Sequence, residues 1–189
     1  VCMSRFEIIT TPIEGLHAIK SSPVADERGF LERMFCLREL ESVWGDKPVR
    51  QLNRTLTTKK GTVRGMHFQY PPYAEQKLVK CLHGEVLDVA VDLRKGSPTF
   101  LQHHAIILNE VNNTTFFIPE GFAHGFQALT AKCELFYVHS ADYTAEAEGG
   151  LNATDPLLSI EWPLVITERS QRDELHSAIE NNFEVISLK

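Results

Sequence analysis

Between residues 63 and 139 the chain runs in short β-like stretches broken by Gly, Pro and Asn, and in the clearest of them apolar positions recur every second residue. That is the period of a β-strand, where successive side chains point to opposite faces. The pattern predicts strands over Val63–Gln69, Lys77–Leu82, Val86–Leu93, His104–Leu108, Thr115–Ile118 and Glu134–His139. In Val86–Leu93, residues Leu87, Val89, Val91 and Leu93 fall on one face and Val86, Asp88, Ala90 and Asp92 on the other. The chain ahead of that strand turns at His83-Gly84, which predicts a hairpin. Helical spacing is confined to the flanks, at Leu37–Trp44 and at Asp173–Asn182, where Leu175, Ile179 and Phe183 follow at four-residue steps. Many short strands with regular turns predict an all-β sandwich, barrel or jelly roll with short flanking helices. There is no strand–helix alternation, no GxGxxG and no internal repeat, and Pro71-Pro72-Tyr73 reads as a loop over the mouth of the barrel.

At 189 residues and 43% hydrophobic content, the chain can bury one substantial core and is short for two, so one domain over 1–189 is expected. The net charge of −6 argues against a nucleic-acid partner and leaves room for a local basic pocket that takes a diphosphate. Cys2, Cys36, Cys81 and Cys133 have no metal-binding spacing and are expected to be buried thiols of a reducing cytosol. No apolar run approaches the length of a membrane span and no secretory pattern opens the chain, so a cytoplasmic protein without a membrane partner is expected.

Several polar residues do not suit a core. Strand alternation in Arg64-Gly65-Met66-His67-Phe68-Gln69 puts His67 and Gln69 on one face and Arg64 on the other. A lone histidine there is more often structural. His124 follows the turn Pro119-Glu120-Gly121 among aromatics, where a tight turn with an incidental histidine is an equal reading. Lys77 opens an apolar strand, where a lysine tip normally reaches for water, and Tyr137 sits in Leu135-Phe136-Tyr137-Val138, ordinarily a core aromatic. Ser170-Gln171-Arg172-Asp173 reads as a helix start, with Ser170 capping and Asp173 three residues on.

Together these segments resemble the dTDP-4-dehydrorhamnose 3,5-epimerase family over nearly the whole chain. The matching stretches are Asp26 to Phe30, Gln51-Leu52-Asn53, Arg64 to Gln69, Lys77-Leu78-Val79, Gly84 to Arg94, Ser97 to Phe100, Ile118 to Phe126 and Ser170 to Asp173. The resemblance implies a cupin jelly roll (a double-stranded β-helix), a homodimer, and a nucleoside-diphosphate sugar as substrate inside the barrel. It makes His67 the catalytic base, Asp173 the carboxylate that orients it, Tyr137 the acid on the opposite face of the sugar, and Lys77 the cation near the C4 keto oxygen. Arg64 and His124 would hold the substrate; Arg28, Phe30, Gln51, Asn53, Glu148 and Arg172 would contact it, mainly at the nucleotide or diphosphate. The chain departs from the family where a glutamate is usual, with Arg33 beside Glu32, and where paired tyrosines and a tryptophan are usual, with Tyr143 alone.

The residue types suit the chemistry. A proton beside a ketone is weakly acidic, so its removal needs a positioned base and a group that stabilises the enolate oxygen, with no cofactor and no metal. Inversion is simplest when a second group returns the proton from the other side. Two alternatives compete. A metal-dependent cupin oxygenase would use His67, Glu75 and His124, yet the usual His-x-His pair has Gln69 in its second place. A non-catalytic jelly roll would use the same arginines and histidines only to bind a sugar.

Overall fold

The computed structural model describes residues 4–180 and 183–188. In chain order the elements are β1 (Phe6–Thr10), β2 (His17–Ser21), β3 (Val24–Asp26), β4 (Gly29–Leu31), α1 (Glu41–Trp44), β5 (Gln51–Thr57), β6 (Val63–Gln69), β7 (Lys77–His83), β8 (Glu85–Asp92), β9 (His103–Asn109), β10 (Thr114–Ile118), β11 (Phe122–Ala128), β12 (Cys133–His139), β13 (Glu148–Gly150) and α2 (Gln171–Glu174). A six-stranded sheet in the order β1-β2-β10-β7-β12-β5 faces a five-stranded sheet in the order β13-β6-β11-β8-β9, while β3 and β4 form a separate ribbon. The result is an all-β jelly roll, one of the architectures the strand pattern allowed and the one the family resemblance implied. All six predicted strands are present, some longer by a residue or two.

The alternation in β8 explains how the layers stack. Val86 and Ala90 join Val79, Leu135, Phe126 and Tyr137 in the core between the sheets. Val89, Val91 and Leu93 face the other way, against Leu151, Ala153, Leu158 and Ile186 of the C-terminal segment. The outer face of the six-stranded sheet is covered in turn: Leu78, Phe117 and Val138 pack against Leu40 and Trp44 from the α1 region. The central strands are therefore buried on both faces, which is why they carry apolar residues at both parities, while edge strands such as β5 stay partly exposed.

Three expectations need correction. The turn at His83-Gly84 is not a hairpin, because β7 and β8 lie in different sheets. Gly84 has φ +78°, and a Cβ there would come within 2.6 Å of Thr130 Oγ1, so the corner between the sheets requires glycine. The helix expected over Leu37–Trp44 is regular only over Glu41–Trp44 and stops at Gly45, φ +69°. The helix expected over Asp173–Asn182 is confined to Gln171–Glu174, and residues 181–182 lie outside the described residues. There the Ile179 N–H bonds to the Asp155 carboxylate instead of a helical carbonyl, while Ile179 and Phe183 pack individually on the outer core and Leu175 is left exposed.

Of the cysteines, Cys81 and Cys133 are buried free thiols, Cys36 is only half-buried, and Cys2 lies outside the described residues. Burial pushes the Cys81 thiol up to about 12, which makes it an inert core group.

Candidate active site

A cavity of about 250 Å³ opens between the two sheets, and most of the polar residues singled out from the sequence converge on it. From the five-stranded sheet come Arg64 and His67 of β6 with His124 and Phe126 of β11; from the six-stranded sheet come Asn53 and Thr55 of β5, Lys77 of β7, and Tyr137 and His139 of β12. Strand alternation had placed Arg64 opposite His67. The structure brings both to the cavity because β6 carries an extra residue there. His67 pairs with His124 while Arg64 pairs with Phe126, three residues on β6 against two on β11, so the phase of the side chains reverses. Gly65 sits at the reversal with φ +125°, and a Cβ on it would come within 2.5 Å of the Gly125 Cα.

His67 and Asp173 meet across a separation in sequence that no periodicity could bridge. Their Nε2 and Oδ1 atoms are 2.7 Å apart, and the other carboxylate oxygen accepts the Gly65 N–H at 3.2 Å. The Asp173 N–H also donates to Ser170 Oγ at 3.1 Å, so the expected helix cap and the contact with histidine coexist. Burial pushes the Asp173 carboxyl up, but His67 and the Gly65 N–H outweigh it and hold it at about 2. An ionised carboxylate can only accept, so His67 donates from Nε2 and its Nδ1 is left to take a proton. Arg172 lies 3.3 Å from the same Nε2 and is held by Glu148 at 2.6 Å.

On the facing wall, burial pushes the Tyr137 phenol well above its ordinary value, with the nearby Asp88 carboxyl adding to the rise. The group stays protonated at neutral pH, the state needed to give a proton. Lys77, expected to reach for water, is buried instead, with its ammonium 2.9 Å from Glu75. His124 Nε2 lies 2.8 Å from Asp88 Oδ1. Asp88 is fully buried, and this desolvation raises its carboxyl despite the contact with His124.

Ten of the singled-out residues gather at or beside the cavity: Asn53, Arg64, His67, Lys77, His124, Tyr137, Glu148 and Arg172 line it, Asp173 supports His67, and Gln51 holds its rim by accepting the Tyr143 N–H at 2.9 Å. Arg28 and Phe30 are not brought there by their own chain; both sit on the β3–β4 ribbon, Arg28 paired with Asp26 and Phe30 73% exposed. Gln69 is a buried scaffold whose amide holds the carbonyls of Tyr73 and Asp142 and accepts the Thr144 N–H. Sequence reasoning missed His139 and Asp88 and assigned Glu75 only to a metal site. The sole signal for His139 was its place two residues beyond Tyr137, which puts it on the same strand face.

The three residues that a metal-dependent reading would recruit are committed elsewhere: His67 to Asp173, Glu75 to Lys77 and His139, and His124 to Asp88. Among the described residues no group of three His, Cys, Asp or Glu side chains is arranged to hold a metal ion.

Comparison with known proteins identifies the family. A family profile described as dTDP-4-dehydrorhamnose 3,5-epimerase matches residues 10–181. The dTDP-4-dehydrorhamnose 3,5-epimerase of Shigella flexneri is 38% identical over 166 residues, which cover 88% of this chain and 92% of that protein. The crystal structure of the Legionella pneumophila 3,5-epimerase in complex with dTDP-4-keto-L-rhamnose superposes with a TM-score of 0.90 at 36% identity, covering 97% of this chain and 99% of that one. A 3'-monoepimerase from Streptomyces bikiniensis in complex with dTDP-quinovose superposes with a TM-score of 0.84 at 31% identity, covering 90% and 86% of the two chains. The profile, the sequence relatives, the superposed folds and the polar residues gathered between the sheets concur: this chain belongs to the dTDP-4-dehydrorhamnose 3,5-epimerase family of isomerases.

Proposed function

We propose that this enzyme inverts C3, C5 or both in a nucleoside-diphosphate 4-keto-6-deoxyhexose, in the manner of dTDP-4-dehydro-6-deoxyglucose passing to dTDP-4-dehydrorhamnose, as a step in deoxysugar biosynthesis. One observation carries the reading. A histidine oriented by a carboxylate and a protonated phenol line the same cavity from opposing sheets. His67 removes the proton next to the ketone through Nδ1, Lys77 stabilises the enolate oxygen, and Tyr137 returns a proton from the other side. These residues supply the whole reaction, and the proposal calls for no cofactor. At about 250 Å³ the cavity lies below the roughly 300–1,000 Å³ of clefts that enclose a drug-sized ligand. It therefore takes the sugar, and the nucleotide lies toward the rim, where Arg172, Glu148 and Tyr143 are joined by hydrogen bonds.

We also propose that the working form is a homodimer in the cytosol. Free thiols at Cys36, Cys81 and Cys133 support a reducing compartment, and among the described residues no helix is long and apolar enough to cross a membrane. The edge strand β5 exposes Leu52 and Leu56, and Val24, Phe30 and Leu31 are exposed on the ribbon. A second copy would cover such surface and would give Arg28 and Phe30 the substrate contacts their own chain does not.

The test is to incubate the protein in heavy water with 4-keto-6-deoxyglucose nucleotides carrying different bases, and to follow the sugar protons by NMR. Deuterium at C3 or C5 with inverted configuration is expected. Binding without exchange would support a sugar-binding jelly roll, and turnover that consumes oxygen and is abolished by chelator would support an oxygenase; either would overturn the epimerase reading.

A further inference from the structure

Beyond the residues to which the family resemblance assigns a role, two on the cavity wall carry a charge or a titratable ring: Glu75 and His139. They belong to one assembly. Glu75 is nearly buried, with one carboxylate oxygen 2.9 Å from the Lys77 ammonium. Its other oxygen accepts the His139 Nδ1–H at 2.8 Å. Lys77 and His139 stand opposite each other in the β7–β12 register, so the carboxylate spans two neighbouring strands. His139 in turn lies against Tyr137, with ring centroids 5.7 Å apart and planes inclined by 18°.

Burial pushes the Glu75 carboxyl up, but the Lys77 charge and the His139 hydrogen bond outweigh it and bring it to about 2. A buried carboxylate is costly to keep ionised, and this one is kept so by the group that faces the developing enolate and by the ring that faces the phenol. A lysine has a long flexible stem that must be fixed before its charge is placed to useful accuracy.

We propose that Glu75 and His139 are a positioning pair for the epimerisation: Glu75 fixes the Lys77 ammonium and the His139 ring, and His139 holds the Tyr137 phenol at the angle from which the proton is returned. The inference rests on the epimerase reading. Neither residue needs to touch the reacting carbons. Lys77 serves proton removal and Tyr137 serves proton return, so loosening the two ends of the assembly has different consequences.

The test uses the full-length protein with a 4-keto-6-deoxyglucose nucleotide in heavy water, scoring solvent exchange and inversion separately. Glu75→Gln keeps the shape and loses the charge. It should lower both rates, approaching the roughly 10²-fold seen when one oxyanion donor is lost, with kcat falling and KM little changed. His139→Asn keeps a donor for Glu75 and loses the ring; inversion should fall about tenfold while exchange falls only a few-fold, the free-energy equivalent of losing one modest contact. His139→Phe restores a ring face against Tyr137 and should recover most of the ratio of inversion to exchange. A wild-type enzyme that epimerises, with Glu75→Gln and His139→Asn leaving both rates and their ratio unchanged per folded molecule, would overturn the proposal. A wild-type protein that neither exchanges nor inverts would instead overturn the epimerase reading beneath it. If Glu75→Gln does not fold, the two His139 variants carry the test.

Discussion

A histidine can take a proton only through a nitrogen that carries none, and the contact with Asp173 decides which of the two that is. With Nε2–H committed to the carboxylate, His67→Asn should lower solvent exchange at the sugar carbons by roughly 10²–10⁴-fold while nucleotide binding persists, as read by NMR and calorimetric titration. Tyr137→Phe removes one hydroxyl and keeps the packing. It should suppress net inversion more than exchange, because His67 can still return a proton to the face it came from; equal losses would remove Tyr137 as a separate acid. The Asp173 carboxyl lies near 2 in the folded chain, below its ordinary 3.8. A depressed group contributes its full stability above the unfolded value and loses it as pH falls through the folded one. Denaturation midpoints should therefore decline between about pH 4 and pH 2, and Asp173→Asn should flatten that decline while slowing exchange. At this scale His67, Tyr137, Lys77 and Asp173 were legible because each matched a family position by itself. Glu75 and His139 were not legible as partners, because their meeting depends on how β7 and β12 pair in space.

A single turn of helix such as α1 has no independent stability, since helix nucleation is unfavourable and propagation has hardly begun. It exists because Trp44 is 1% exposed against Phe35 and Phe117 and donates its indole N–H to the Lys47 carbonyl at 2.8 Å. Trp44→Ala should cost about 3–5 kcal/mol, measured by denaturant unfolding, because the outer face of the six-stranded sheet loses its cover. The same dependence on tertiary contact explains why both flanking helices were overread. In the C-terminal segment the spacing recorded Ile179 and Phe183 docking one by one, with Leu175 left exposed, which local periodicity cannot distinguish from a helical stripe. The misplacement of Arg64 has the opposite origin. Alternation is a rule of parity, and one extra residue in β6 inverts it from that point on. Nothing in Arg64-Gly65-Met66-His67 announces the insertion except the glycine itself.

For the whole molecule, the strand pattern was enough to predict an all-β architecture and left sandwich, barrel and jelly roll open; the family resemblance chose among them. Which strands face each other was not readable, because a corner such as Gly84 and a hairpin turn leave the same mark in sequence. The exposed leucines of β5 make an assembly prediction: Leu52→Glu with Leu56→Glu should convert a dimer into a monomer by light scattering, without loss of β-sheet by circular dichroism. From β5 to β12 the chain passes from one sheet to the other at every connection except β8 to β9. The walls that carry His67 and Tyr137 are thus laced together by their own backbone. The span from His67 to the Tyr137 that faces it is set like the gauge of a track by the segments that cross between the sheets. Traffic must pass through the open end, which leaves any gating to the rim segments that Gln69 ties together around Tyr73, Asp142 and Thr144.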